Sequence, residues 1–217
     1  MKVWLRHLWA ILLLTFLMWL FFTGFEDDFH PLHRWNRTAA DSAFVLLCLT
    51  LIIGPAARFN RKLSFLLLWR RELGIAFVVA SFLHVLVYTA GRKWDLLIFF
   101  RNVENGQSVF LKNAYATSNY VGLIALLYTI VLGITSNDVS QRLLGKGWKF
   151  LQQQTYTLFI LIVIHTAVFL YLVFPEIAGK IAPVFWIFTF LAAGLQLGGY
   201  MRTVHKQSKR RKARRRL

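Results

Sequence analysis

The chain has 217 residues, 57% of them apolar and 16% charged, and a formal net charge of +17. So high an apolar share, with so few charges, excludes an ordinary soluble domain and leaves a membrane protein. The positive charge does not read as nucleic-acid binding, because it is gathered between and after apolar runs in the manner of membrane topology signals.

Crossing about 30 Å of hydrocarbon takes about 20 residues of helix. Six apolar runs meet that need, at about 8–25, 42–57, 73–91, 118–136, 153–174 and 181–200. The expected fold is all-α, with six transmembrane helices in one bundle.

The first run follows Lys2 and Arg6, as a signal peptide would, but it is long for a signal, and TGFEDDF after it lacks a small-x-small cleavage site. Next comes HPLHR. With Asp27 and Asp28, His30 and His33 form a candidate cation site, although the stretch reads more simply as a solvated loop. Asp41 and Ser42 supply a cap for the second run, which ends at Gly54 and Pro55. Cys48, the single cysteine, has no partner for an internal disulfide.

The longest connection, roughly 92–117, contains KWDLLIFFRN. Its Trp94, Leu97, Ile98 and Phe99 suit a short segment at headgroup level. Between the fourth and fifth runs, TSNDVSQRLLGKGW reads as a short helix, with Asn137 or Asp138 at its start and Gly145 near its end.

Both termini are expected in the cytoplasm of a multi-pass cell (inner) membrane protein. The inner segments then hold nineteen basic residues, nine of them from Arg202 to Arg216, while the outer segments hold seven, matched by seven acids. Residues 1–201 form one six-helix domain, and 202–217 a basic cytoplasmic tail that meets anionic lipid. No internal repeat and no soluble catalytic domain is visible.

Six histidines are present. His7, His30, His33 and His205 lie at helix ends, in a loop or in the tail. His84, in IAFVVASFLHVLVY, and His165, in TLFILIVIHT, lie inside apolar runs, where an ionisable side chain is costly and marks a functional site by default. Counted from the inner ends of their helices, they stand at about 18 Å and about 22 Å by the helical rise, both in the outer half. Two neutral imidazoles at one level on different helices form the axial pair that a b-type haem requires. Zinc fits less well, since it wants four ligands and no carboxylate or thiol lies near. A proton relay would want carboxylates that the core lacks. Ala80, Ser81, Phe82, Tyr88, Thr166 and Phe169 are candidate lining for a flat slot, with Ser81 and Thr166 as partners to orient the rings. The plain alternative is that each imidazole only shares a hydrogen bond with a neighbouring helix, worth about 1 kcal/mol, in a cofactor-free scaffold or transporter.

From about 42 to 174 the chain resembles the ferric reductase-like transmembrane domain family. The resemblance is carried by IIGPAARF, by RRELG at 70–74 and by ITSNDVSQRLLGKGWKFL. Within that family it is most similar to the haem-binding membrane subunits of periplasmic methionine sulfoxide reductase systems. The resemblance implies a cytochrome b with His84 and His165 as axial haem ligands, and electron flow from the quinone pool or a flavin such as FMN to an outer-face acceptor. In such systems the acceptor is a separate molybdopterin-containing reductase, which makes the chain an electron-transfer subunit rather than a catalyst alone. A stand-alone ferric reductase is the alternative. One departure bears on cofactor number. The family's W-x-x-L-H reads Trp148-Lys-Phe-Leu-Gln152 here, and the positions 13 and 14 before His84 are Arg71 and Arg70. One haem b is therefore expected, in the outer half, with His7 a candidate ligand for any second.

Overall fold

The computed structural model describes residues 3–24, 31–104 and 107–214. Among these, α1 spans Val3–Gly24, α2 Pro31–Phe59, α3 Arg70–Ala90, α4 Ala114–Ile134, α5 Asp138–Leu144, α6 Lys146–Gln153, α7 Thr155–Val168 and α8 Pro175–Arg214; a short antiparallel ribbon pairs β1, Arg101–Glu104, with β2, Gln107–Phe110. Six stretches are long and apolar enough to cross a membrane: Val3–Gly24, Pro31–Phe59, Arg61–Ala90, Ala114–Ile134, Lys146–Val173 and Ile181–Lys209. The third joins a 3₁₀ segment, Arg61–Trp69, to α3, and the fifth runs through α6, α7 and a π turn at Phe169–Val173. The protein is a multi-pass helical membrane protein, as the apolar runs predict.

Its surface explains why. Trp9, Ile11, Phe16 and Trp19 on α1, Leu127 and Ile134 on α4, and Phe190 and Leu197 on α8 all point outward. An apolar belt of that extent is unfavourable in water and at home against lipid tails.

The most buried helix is α2, against which α1, α3 and α8 pack. Its Ala39, Ser42, Ala43 and Cys48 are small enough to let the neighbouring backbones approach, while Leu46, Leu47 and Leu51 fill the space between. On the other side α4 packs against α7 and more lightly against α3. Gly133 permits the second of these contacts, because a Cβ there would lie 3.1 Å from the methyls of Val78.

Several boundaries differ from the hydropathy reading. α2 starts at Pro31, at the first helical position that proline favours. Asp41 and Ser42 therefore lie inside the helix rather than capping it; Asp41 pairs with Arg37 one turn earlier. HPLHR is consequently not a loop from Pro31 on, since Pro31 to Arg34 form the first turn of α2; Asp27, Asp28 and His30 lie outside the described residues. α2 also continues through Pro55 to Phe59. In the long connection, Leu96–Phe99 forms a 3₁₀ turn capped by Asp95, and the β ribbon follows it. The short helix before the fifth span matches its signals: the Asn137 side chain accepts from the Ser140 N–H, and Gly145 ends α5 at φ +52°. The last helix, α8, carries on through the basic residues to Arg214.

Candidate functional site

His84 lies on α3 and His165 on α7, and the helices that hold them are not close-packed partners; α3 rests mainly on α2, and α7 on α4. Each imidazole is tied to the helix beneath it in the same way. The Nδ1 of His84 donates to the carbonyl of Asn36 at 3.1 Å, and the Asn36 amide donates back to the carbonyl of His84 at 2.6 Å. The Nδ1 of His165 donates to the carbonyl of Ser118 at 2.8 Å, and the Ser118 hydroxyl, 3.0 Å from that Nδ1, donates to the carbonyl of His165 at 3.1 Å. Both are reciprocal clamps between a histidine and a polar residue of the adjacent helix.

The clamp decides the tautomer. A carbonyl oxygen only accepts, so Nδ1 must carry the proton, and a neutral imidazole protonated there keeps its lone pair on Nε2. A metal-ligating histidine is normally held in this way, with its second nitrogen on a backbone carbonyl. The donor chemistry of both residues thus fits the axial pair of a haem. α4 also comes unusually close to one ring: a Cβ on Gly122 would lie 2.9 Å from Cε1 and Nδ1 of His165. Only glycine leaves that ring its place.

One charged side chain belongs to the same neighbourhood. Arg37 of α2 is 8% exposed and follows Asn36, whose amide clamps His84. Its guanidinium carbon is 5.9 Å from the ring of Phe169, which in turn lies 6.3 Å from the His165 ring. Phe169 therefore lies beside His165, as expected of the lining, together with Ser118 and Gly122, while Asn36 lies beside His84.

Other expected lining is corrected. The Ser81 hydroxyl donates to the carbonyl of Phe77 in its own helix, so Ser81 does not orient His84. The partners of the rings are Asn36 and Ser118, in place of Ser81 and Thr166. Phe82 turns outward, whereas Ala80 is fully buried. Tyr88, one turn after His84, hydrogen-bonds Tyr115 and lies 4.7 Å from the ring of Phe99. Among the described residues no three His, Cys, Asp or Glu side chains converge.

Toward the basic end lies an open cavity of about 900 Å³. Arg58, Arg70, Arg71, Lys146 and Lys149 border it, with Trp148, Gln152 and Tyr156, and Leu47, Phe77 and Leu158 form its apolar part. Gln152 donates to the Thr135 hydroxyl at 3.2 Å and Trp148 to the Thr135 carbonyl at 2.9 Å, tying α6 to the end of α4. Arg71 is paired with Asp138 at 2.8 Å, and Arg70 donates to the Thr50 carbonyl. Phe77 and Leu158 each precede their histidine by two helical turns, about 10 Å of rise, so the cavity and the imidazole pair lie one below the other.

Six spans around two interior imidazoles define the class, a polytopic membrane protein suited to electron transfer. The profile of the family described as ferric reductase like transmembrane component matches residues 39–163, taking in His84 and stopping just before His165. The chain belongs to this family. It is similar to proteins named protein-methionine-sulfoxide reductase heme-binding subunit MsrQ. That of Klebsiella pneumoniae is 29% identical over 195 residues, covering 89% of this chain and 88% of the relative. That of Salmonella arizonae is 29% identical over 167 residues, covering 75% and 78%. That of Salmonella newport is 30% identical over 153 residues, covering 69% and 71%.

Proposed function

We propose that the protein is a b-type cytochrome in which His84 and His165 are the axial ligands of one haem, and that it relays electrons to an acceptor on the face opposite its basic tail. The observation that carries this reading is the matched pair of clamps, which leaves each histidine with its lone pair on Nε2. The relatives are named as heme-binding subunits, in keeping with it. Haem b, when bound, supplies a one-electron iron couple.

The chain's own residues do the rest. The carbonyls of Asn36 and Ser118 accept from Nδ1, which raises the basicity of Nε2 and fixes the ring planes. Buried Ala80 and the apolar faces of α3 and α7 keep water out. The basic end faces the cytoplasm by the positive-inside bias. The cavity at that end receives the electron donor: its cationic rim suits the phosphate of FMN, and its apolar part suits a flavin or a quinone ring. The acceptor is the catalytic subunit of a methionine sulfoxide reductase, a periplasmic molybdopterin-containing protein, so this chain is an electron-transfer subunit rather than a catalyst alone.

The test is a reduced-minus-oxidised spectrum of protein expressed with ample haem. The wild type should show a reducible low-spin haem, and His84→Ala and His165→Ala should each abolish it. A colourless wild type, or an unchanged spectrum in either variant, would overturn the proposal.

A further inference from the structure

α3 and α4 are successive spans and run in opposite directions, so the residues after His84 and those before Ser118 lead to the same end of the bundle, away from the basic tail. One turn along, by about 6 Å and about 4.5 Å of helical rise, stand Tyr88 on α3 and Tyr115 on α4, and their hydroxyls are hydrogen-bonded to each other. That bond joins two helices that otherwise pack lightly. The 3₁₀ turn Leu96–Phe99 folds back onto the pair. The ring of Phe99 lies 4.7 Å from that of Tyr88, and the amide of Asn119, the residue after Ser118, donates to the Phe99 carbonyl at 3.1 Å. Phe100 then stacks on Tyr120 at 4.7 Å, and the Leu111 N–H donates to the Phe100 carbonyl, which ties the turn to the β ribbon. A connection that merely rested at headgroup level would need none of these ties.

We infer that Tyr88, Tyr115 and Phe99 cap the haem site at this end and decide which acceptors it serves: small water-borne oxidants are held off, and electrons leave across the cap. The inference rests on the haem reading above and adds its selectivity. Lipid closes the sides of the bundle to charged solutes, since a charge in hydrocarbon is costly, so such oxidants approach from the two ends. At the basic end Phe77 and Leu158 line the cavity two turns before the histidines; at the other end stands the cap. Electron tunnelling weakens exponentially with the gap between donor and acceptor. A layer of rings that keeps a small solute from the haem edge therefore slows it, whereas a protein acceptor, too large to enter in any case, loses nothing. A reductase of small ferric complexes would need the opposite arrangement, an open edge. Asn119 is a positioning residue, because it holds the turn that carries Phe99.

The experiment starts from haem-loaded protein reduced with dithionite and freed of the excess, and follows haem oxidation by two cationic one-electron oxidants of very different size, hexaammineruthenium(III) and cytochrome c. The ferrous haem gives up one electron and the oxidant gains it; no bond forms or breaks. Phe99→Ala should speed oxidation by the ruthenium complex about tenfold, equivalent to about 1.4 kcal/mol of activation free energy, and leave the rate with cytochrome c nearly unchanged. Phe99→Tyr, which keeps a ring, should match the wild type. An unchanged ruthenium rate in Phe99→Ala overturns the inference. So does an equal acceleration with both oxidants, which reports an altered reduction potential rather than an opened approach. If Phe99→Ala loses its haem, Asn119→Ala carries the test, since it keeps every ring and frees only the turn. Hydrogen–deuterium exchange at the amides of Phe100 and Leu111 in the loaded protein should then quicken, and the ruthenium rate should rise with it. Faster exchange with an unchanged ruthenium rate, or no change in either, overturns the cap. A wild type that binds no haem, or a spectrum that survives both histidine variants, sinks the underlying cytochrome reading instead.

Discussion

The Ser118 hydroxyl donates to the backbone carbonyl of His165 at 3.1 Å, while His165 donates from Nδ1 to the backbone carbonyl of Ser118 at 2.8 Å. Asn36 and His84 repeat the exchange on the other side of the site. Each clamp has one arm that a mutation can remove and one, the carbonyl, that it cannot. Ser118→Ala and Asn36→Ala should therefore keep the haem but loosen it. An interhelical hydrogen bond in a membrane protein is worth about 1 kcal/mol, so haem affinity should fall roughly fivefold in each. Haem titration of the apoprotein measures this, and a wild-type affinity in both variants would show that the clamps do not orient the rings.

Gly122 should be less forgiving. A methyl group there would lie 2.9 Å from the His165 ring, whereas one on Gly133 would lie 3.1 Å from the methyls of Val78. Both changes overpack the bundle, at about 1–3 kcal/mol, but only Gly122→Ala displaces an imidazole. Its low-spin spectrum should be altered or lost, while Gly133→Ala should lower stability and leave the spectrum alone. Absorption and electron paramagnetic resonance spectra of the two variants side by side separate the cases.

Haem content should be close to one per chain. Gln152 is a glutamine engaged with Thr135, and Arg70 and Arg71 are engaged with Thr50 and Asp138, so none of the three offers an imidazole to the cavity at the basic end. A pyridine haemochrome assay against quantified protein checks the number. A value near two would require another ligand, for which His7 on α1 is a candidate.

Arg6 and Glu72 join α1 to the start of α3, Nε to Oε1 at 3.3 Å, and Glu72 is 2% exposed. Removing one partner strands the other charge, at a cost of about 3–5 kcal/mol, whereas replacing both by apolar side chains is often neutral or better. Glu72→Ala should thus be markedly destabilised, and Arg6→Leu with Glu72→Leu should recover most of the loss. Thermal unfolding in detergent measures both.

Orientation follows from charge alone and is checked by reporter fusions. A reporter active only in the cytoplasm should work when joined after residue 217 and fail when inserted in the connection between α3 and α4. The reverse result would turn the electron path around.

The six spans were legible in the sequence because membrane crossing depends on the local average of hydropathy. His84 and His165 stood out for the same reason, as ionisable residues with only apolar neighbours. That local average misplaced the start of α2, because RWNRTAADS is too polar to count as a span and yet continues the helix from Pro31, where α3 packs beside it. It also picked the wrong partners for the rings. Ser81 and Thr166 are near in sequence, while the residues that hold the imidazoles are 48 and 47 positions away, and neither Asn36 nor Ser118 carries any mark that sets it apart from other polar residues.

What the sequence determined by itself was how many times the chain crosses the membrane and which two imidazoles are out of place there, since both depend on the free energy of transferring each segment from water to lipid. The tertiary structure alone decided which nitrogen of each ring keeps its lone pair and why Gly122 has no side chain. These depend on which helix faces meet, and that is set by side-chain packing between segments far apart in the chain.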